Sequence, residues 1–153
     1  MKVIKPTQVY VPEPGDGISI FLAGSIEMGT AEKWQDKVIK AFKKTSLVFF
    51  NPRRDAWDSS WEQSIDNPQF YEQVNWELDH LSLANEILMY FDPNTKSPIS
   101  LLELGLFSDS DITVICPPGF WRKGNVDIVC ERYQIRQMSS IEEWIADIKE
   151  DLK

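Results

Sequence analysis

The chain contains little of what several classes of protein require. It has two cysteines, Cys116 and Cys130, without C-x-x-C spacing, and a single histidine, His80. A disulfide framework or a structural zinc site is therefore not expected, and we predict no metal site. No G-x-S-x-G motif accompanies the histidine, so a serine hydrolase is not indicated either. Acid–base chemistry would fall mainly on carboxylates, and both thiols are expected to be reduced in or near the core.

Long apolar runs and long basic tracts are also missing. The apolar stretches fall short of the roughly 20 residues that cross a bilayer, and the first residues lack the apolar stretch of a signal peptide. Sixteen Lys and Arg against 24 Asp and Glu give a net charge of −8, which argues against a nucleic-acid polymer but not against a small anionic ligand. We expect a cytoplasmic protein that acts on a small molecule, without membrane or nucleic-acid partners.

The pattern along the 153 residues is that of one globular α/β domain. Residues 1–17 are rich in proline and glycine, which predicts an extended lead-in. The α/β domain itself is expected at residues 18–153. Segments with helical spacing alternate with short apolar runs that predict strands near 18–23, 47–50, 86–91 and 112–116. This alternation predicts a single Rossmann-like or flavodoxin-like domain with a mainly parallel central sheet and helices on both faces.

Ligands of such sheets bind beyond the carboxyl ends of the strands, where the strand order reverses. That rule selects Gly24 and Ser25 after the first strand, Asp92 after the third, and the polar, aromatic loop 51–68. Gly24 is either a simple turn glycine or a point where a ligand approaches the backbone. The aromatic rings of the loop could stack on a planar ligand or cover the core. Its candidate ligand-binding residues are Trp57, Asp58 and Trp61.

Three carboxylates and two serines are further candidates. Glu103 lies in an apolar helical stretch and is either a solvated residue, which the pattern alone favours, or an oriented carboxylate used in catalysis. Glu77 and Asp79 are two residues apart on one helix, so at most one of them points into a cleft. Ser97 has the form of an N-cap followed by Pro98, and Ser100 lies in the first turn of the same helix.

In this order, these segments resemble the nucleoside 2-deoxyribosyltransferase superfamily, in its shorter deoxyribosyltransferase-like branch, from Ile20 to about Arg132. Residues 20–26 are similar to the family's opening strand and sugar-binding turn, and Glu103-Leu104-Gly105 is similar to the setting of its nucleophilic glutamate. Residues 76–81 resemble the helix of the acidic proton donor; Glu77 is preferred to Asp79 for that role. Asn125 resembles the asparagine that a neighbouring subunit contributes to the site.

The resemblance implies a double displacement that needs no cofactor. Glu103 would attack the anomeric carbon of a 2'-deoxynucleoside, and a second base would then take the sugar from the covalent intermediate. The protein would be a homodimer or a higher homo-oligomer. Two departures from the family pattern are Phe21, where members often carry tyrosine, and Ser97, where members acting on free nucleosides often carry aspartate.

Two other functions remain open. Serine at position 97, with Ser100 nearby, would remove the repulsion that aspartate exerts on a 5'-phosphate. The first alternative is therefore a hydrolytic N-glycosidase acting on (deoxy)nucleoside 5'-monophosphates. The second is a non-catalytic nucleotide-binding module.

Overall fold

The computed structural model describes residues 1–26, 33–54, 58 and 60–153. Strands and helices alternate along these ranges after a short first strand. They are β1 (Lys2–Ile4), β2 (Ser19–Gly24), α1 (Trp34–Ala41), β3 (Val48–Phe50), α2 (Pro68–Leu83), β4 (Glu86–Tyr90), α3 (Pro98–Leu106), β5 (Ile112–Ile115), α4 (Lys123–Arg132), β6 (Arg136–Met138) and α5 (Ile141–Asp151).

The strands form one sheet in the order β1-β3-β2-β4-β5-β6, and every neighbouring pair is parallel. From β2 the chain runs through α1 to β3 on one side, and then returns through α2 to β4 on the other side. The strand order thus reverses between β2 and β4, and this point is where an open parallel sheet binds its ligand. The predicted α/β class and parallel sheet are confirmed.

Helices cover both faces of the sheet because its strands are apolar on both faces. In β2, Phe21 and Ala23 pack on the side of α2, α3 and α4, whereas Ile20 and Leu22 pack on the side of α1 and α5. This two-residue alternation is the ordinary geometry of a strand. The helices on both faces that the sequence predicts are confirmed as well.

The lead-in contributes an edge strand that the sequence analysis did not assign. β1 has three residues and pairs with β3, which lies more than 40 positions away in the sequence. A local sequence pattern therefore does not predict it. Beyond β1, the Tyr10 ring packs edge-on against Phe50, and Trp76 Nε1 donates a hydrogen bond of 2.9 Å to the Gln8 carbonyl oxygen. The lead-in is therefore attached to the sheet and to α2 at β1, Gln8 and Tyr10.

The inward face of α2 differs from the face that apolar spacing predicts. The spacing predicts a buried stripe of Phe70, Val74, Leu78 and Leu81. The structure instead buries residues of mixed polarity: Gln73, Trp76, His80 and Leu81. His80 stacks on the Trp76 ring, with centroids 4.1 Å apart, and has a structural role. The helix is rotated because its first half passes over the polar carboxyl edge of the sheet.

Two features near the end of the chain lie later than the sequence predicts. A brief strand is expected at 133–135, but β6 comprises Arg136–Met138, after Gln134 has turned the chain with a positive φ of 56°. A capping box of Ser139 and Glu142 is expected for the last helix. The Ser140 hydroxyl instead accepts from the Glu143 N–H, and the Glu143 carboxylate accepts from the Ser139 N–H.

Gly24 provides a direct test of the sheet geometry. Its φ is +122°, and a Cβ atom there would lie 2.1 Å from the Tyr90 carbonyl oxygen. We expect Gly24→Ala to lower the free energy of unfolding by at least about 2 kcal/mol, because the clash is with backbone and the φ suits only glycine. Gly124→Ala is the matched control, since nothing lies within 4 Å of its Cβ position. In urea unfolding, equal midpoints for the two variants would contradict the close approach.

Candidate functional site

The site lies at the carboxyl edge of the sheet, where β2 and β4 end side by side. Ser25 follows β2 directly, is fully buried, and its N–H donates a hydrogen bond of 2.8 Å to the Tyr90 carbonyl oxygen. Trp34 Nε1 donates to the Ser25 carbonyl oxygen at 3.1 Å. Asp92, after β4, is also buried, and its N–H donates to Ser25 Oγ at 2.8 Å. The end of β2 is thus bonded to the loop that leads to α3.

Three buried hydroxyl groups join at this point and form a cluster of Ser25, Thr95 and Ser97. Ser25 Oγ lies 2.8 Å from Thr95 Oγ1 and 2.6 Å from Ser97 Oγ, and the last two atoms are 2.8 Å apart. The Thr95 hydroxyl also donates to the Asp92 carbonyl oxygen at 2.9 Å. The hydroxyl cluster therefore bonds the residue after β2 to the segment that leads from β4 to α3.

The hydroxyl cluster fixes the start of α3. Ser97 occupies the N-cap position, as predicted, but has a left-handed backbone with φ of 46°, and its side chain makes no capping hydrogen bond. Its hydroxyl is directed to Ser25 and Thr95 instead. Ser100, in the first turn of α3, is buried at the same edge of the sheet. Both serines thus lie where the sequence analysis places the substrate, although the Ser97 hydroxyl is already engaged.

Glu103 lies one turn further along α3 and is buried, with 8% of its surface exposed. Within the described ranges, no group donates a hydrogen bond to its carboxyl group; Phe21, which replaces the tyrosine common in the resembling family, has no hydroxyl to do so. Burial, with a smaller contribution from the nearby charge of Glu77, raises the pKa of Glu103 to about 8. The interpretation of Glu103 as a solvated surface residue is therefore wrong.

Glu77, on α2, faces Glu103, whereas Asp79 is exposed. Burial raises the pKa of Glu77 to about 7. Two weaker effects oppose this rise: Gln73 Nε2 donates a hydrogen bond of 2.6 Å to Glu77 Oε1, and Arg54 contributes a positive charge. Of the two candidate acids, the structure brings Glu77 to the nucleophile candidate and leaves Asp79 apart.

Glu77 and Glu103 titrate as an interacting pair because each raises the cost of ionising the other. With pKa values raised to about 7 and about 8, the pair holds one proton between these pH values. Such a pair is chemically versatile, since one group can act as an acid while the other acts as a nucleophile or base.

Trp61 of the long loop is connected to Glu77 through Arg54 and Gln73. Trp61 lies under the Arg54 guanidinium, whose central carbon is 4.9 Å from the ring centroid. Asp58 is exposed, and hydrogen bonds from the Ser60 hydroxyl and N–H lower its pKa. The structure therefore does not bring Asp58 to the carboxyl pair, and the predicted Trp57 lies outside the described residues.

Asn125 lies on the outer side of α3 rather than beside the carboxyl pair. It is exposed on α4 and lines a groove of about 320 Å³ between α3 and α4. The groove's other lining residues are mostly apolar: Leu101, Leu104, Gly105, Arg122, Val126 and Val129. Glu103 is not part of this lining, so Asn125 does not reach the site of its own subunit through the groove.

Other classes of site are not formed by the described residues. Within the described ranges, no group of three or more His, Cys, Asp or Glu side chains is arranged to hold a metal ion, and no helix is long and apolar enough to span a bilayer. Cys116 and Cys130 are free and buried, as predicted, and burial raises the pKa of each thiol to about 11. Thiols with such a high pKa are poor nucleophiles.

Sequence reasoning missed two residues of the site, Gln73 and Thr95. Gln73 precedes Glu77 by four positions, the spacing that puts two side chains on one helix face. This spacing is visible in the sequence, but the apolar stripe of α2 predicted that a different face of the helix is buried. The hydroxyl of Thr95 could not be placed from sequence, because its partner Ser25 is 70 positions away.

The fold is that of an α/β protein with a parallel sheet, and the carboxyl pair lies near its switch point, where sheets of this kind bind their ligands. The family model described as "nucleoside 2-deoxyribosyltransferase like" matches residues 17–120. This span covers more than half of the chain, and the chain belongs to that family, which confirms the resemblance noted in the sequence. Membership relates the protein to enzymes of glycosyl transfer.

A solved structure described as a conserved protein from Enterococcus faecalis V583 is similar to this chain. The similarity has a TM-score of 0.57 at 13% sequence identity, and covers 88% of this chain and 98% of that one. At this identity the likeness establishes the fold alone. Among curated proteins, none matches the chain.

The carboxyl pair makes a testable contribution to stability. The pKa values of Glu77 and Glu103 lie above the ordinary value of 4.5, so the folded protein holds protons that the unfolded chain releases. The contribution of each protonated group is complete below about pH 4.5 and is lost as the pH rises through the folded-state pKa, to about 8 for Glu103. The free energy of unfolding should therefore fall over this range.

We expect Glu103→Gln to remove most of that fall, since the neutral amide does not ionise. The variant should be more stable than the wild type at pH 8 by a few kcal/mol, and close to it near pH 4.5. Urea unfolding at both pH values measures the difference. Asp79→Asn, an exposed change on α2, should leave the pH dependence as it is. A Glu103→Gln variant with the wild-type pH dependence would mean that Glu103 is not held in a buried, protonated state.

Proposed function

We propose that the protein is a nucleoside 2'-deoxyribosyltransferase that cleaves the N-glycosidic bond through a covalent glutamyl-sugar intermediate. The observation that carries the proposal is the interacting pair of carboxyl groups at the switch point of the sheet, the buried Glu103 on α3 and the half-buried Glu77 on α2. Membership in the family supports the assignment of Glu103 as nucleophile and Glu77 as acid.

In the first displacement, a Glu103 carboxylate oxygen attacks the anomeric carbon. The bond between this carbon and the base nitrogen breaks, its electron pair goes to the base, and Glu77 donates a proton to the departing base. In the second displacement, the nitrogen of another base attacks the same carbon and the glutamyl ester bond breaks. Glu77 then takes up the proton that the incoming base loses, which restores the starting state.

The reaction requires Glu103 to be ionised and Glu77 to be protonated. In the free protein, the hydrogen bond from Gln73 and the charge of Arg54 favour the ionised form of Glu77, and so favour the arrangement with the shared proton on Glu103. Both arrangements contain one proton, and a transfer between the two carboxyl groups converts one into the other. Positive charge developing on the sugar ring stabilises the Glu103 anion and favours the reactive arrangement.

The hydroxyl cluster supports a free nucleoside over a 5'-monophosphate. Because Ser97 Oγ already lies 2.6 Å from Ser25 Oγ and 2.8 Å from Thr95 Oγ1, its hydroxyl is engaged within the fold, and a 5'-phosphate would have to displace these contacts to bind it. The hydrolytic N-glycosidase acting on monophosphates remains the alternative, with water in place of the second base. Ser100 and the start of α3 would then face the phosphate.

We expect the wild-type protein to release base from a 2'-deoxynucleoside and to form a new nucleoside when a second base is added. Glu103→Gln should abolish both reactions, because the nucleophile is lost. Glu77→Gln should lower kcat by about 100-fold or more, the usual range for a general acid. A 2-fluoro-2-deoxy nucleoside should leave a covalent adduct on Glu103, detectable by mass spectrometry.

The controls separate the alternatives. Asp79→Asn should keep wild-type activity because Asp79 is exposed and away from Glu103. Release of base from the 5'-monophosphate, independent of a second base, would favour the hydrolase. Full activity in Glu103→Gln would refute the mechanism. If neither a deoxynucleoside nor a monophosphate reacts, the non-catalytic nucleotide-binding module would be the remaining candidate function.

We also propose that two copies associate through the outer surface of α3 and α4. Apolar residues on this surface are 59 to 67% exposed: Ile99, Leu102 and Leu106 on α3, and Ile128 on α4. Together with the apolar groove beside Asn125, they form a patch of the kind that marks a protein–protein contact. A second copy seated there would bring an asparagine to a neighbouring site, which is the role that the family resemblance implies for Asn125.

Mixing two inactive variants tests this assembly. In a hybrid of Glu103→Ala and Asn125→Ala subunits, one site has its own Glu103 and the partner's Asn125, so it is intact. We expect about one quarter of the wild-type activity after random subunit exchange in a dimer. Size-exclusion chromatography with light scattering gives the oligomeric state. Exchange without any recovered activity would exclude Asn125 from the neighbouring site.

A further inference from the structure

A line of polar contacts connects the long loop to Glu77. The Arg54 guanidinium lies over the Trp61 ring, and its Nε donates to Gln73 Oε1 at 2.5 Å. Gln73 is buried, and its Nε2 donates to Glu77 Oε1 at 2.6 Å and, at a longer 3.5 Å, to the Pro52 carbonyl oxygen. The two side chains that connect Trp61 to Glu77, those of Arg54 and Gln73, are therefore each held by contacts on both sides.

Arg54 determines the orientation of the Gln73 amide. A guanidinium has donors only, so the amide oxygen must face Arg54 and the amide nitrogen must face Glu77. A flipped amide would place two acceptors, Gln73 Oε1 and Glu77 Oε1, against each other. With Glu77 Oε1 already accepting from the amide, Oε2 is the oxygen left to carry a proton.

We propose that Arg54 and Gln73 are positioning residues that hold the Glu77 carboxyl so that Oε2 presents its proton to the departing base. This inference rests on the proposed function, in which Glu77 is the acid. Without Arg54, the amide can turn and accept the Glu77 proton for itself. Without the Gln73 amide, the carboxyl group can rotate, and in both cases the base departs without a well-placed proton donor.

The charged groups that face Glu77 from the described parts of the elements packed against it are Arg54, after β3, and Glu103, on α3. Glu103 disfavours the ionised form of Glu77, whereas Arg54 and the Gln73 hydrogen bond favour it. Loss of either positioning residue should therefore raise the pKa of Glu77. Proton delivery is still expected to fail, because a rotated carboxyl group is misplaced even when more of it is protonated.

The test compares substrates that need the acid with substrates that do not. Arg54→Met and Gln73→Met should lower kcat about 10- to 100-fold for an ordinary purine deoxynucleoside, with KM little changed. For the N7-methylated analogue, whose base departs without gaining a proton, the loss should be within about threefold. If only pyrimidines are accepted, deoxyuridine and 5-fluoro-2'-deoxyuridine form the pair, and the fluorinated substrate should show the smaller loss.

The pH profile of kcat gives a second, independent readout. The limb set by Glu77 should move to higher pH in both variants, which a merely destabilised protein would not show. Arg54→Lys, which keeps the charge and a donor, should lose less activity than Arg54→Met. Glu72→Gln, an exposed change next to Gln73 on α2, should leave both readouts at their wild-type values.

The outcomes distinguish this inference from the proposed function. An active wild type, together with variants that lose both substrates equally and keep the pH profile, contradicts the positioning role alone. A wild type that releases base from neither substrate contradicts the proposed function and the inference with it. If Gln73→Met does not fold, the Arg54→Met variant alone tests the positioning role, since Arg54 is only half-buried.

Discussion

Gly24 allows β2 to approach β4 so closely that a side chain at this position would collide with the backbone of Tyr90. The approach brings Ser25 directly against the chain leaving β4, where it bonds both the Tyr90 carbonyl oxygen and the Asp92 N–H. The hydroxyl cluster then fixes the left-handed start of α3. Since Glu103 lies about one and a half turns further along this short helix, its position depends on a contact made at the end of β2.

A buried carboxyl pair is costly, and the rest of the fold offsets that cost. The all-parallel sheet is covered on both faces, and its strands contribute almost only apolar side chains to two continuous clusters. Such a core supplies the surplus stability that offsets the burial of carboxyl groups. In the proposed reaction this cost would have a use, because the burial that disfavours ionisation raises both pKa values toward neutrality, where one carboxyl group can be an acid and the other a nucleophile.

The parts of the structure that follow from local sequence patterns could be predicted, whereas those that depend on distant contacts could not. The central strands are short apolar runs, and the polar ends of β2 and β4 mark the switch point, so the fold and Gly24, Ser25 and Asp92 were accessible from sequence. β1 was not, because the strand with which it pairs, β3, lies more than 40 positions away in the sequence. The local pattern predicted the N-cap position of Ser97. It could not predict that the Ser97 hydroxyl contacts Ser25, because Ser25 is 72 positions away.

The rotation of α2 about its axis determines whether Glu77 or Asp79 faces the candidate site. Successive residues of a helix are about 100° apart, so residues two apart point in nearly opposite directions, and only one of these carboxylates can face the sheet. Apolar spacing alone would turn Val74 and Leu78 inward. The structure turns Gln73 and Glu77 inward instead, because Arg54 and the carbonyl oxygen of Pro52 supply polar partners at the edge of the sheet. In the second half of α2, Trp76 and His80 continue the same face as part of the core, so one helix both covers the core and positions Glu77 in the candidate site.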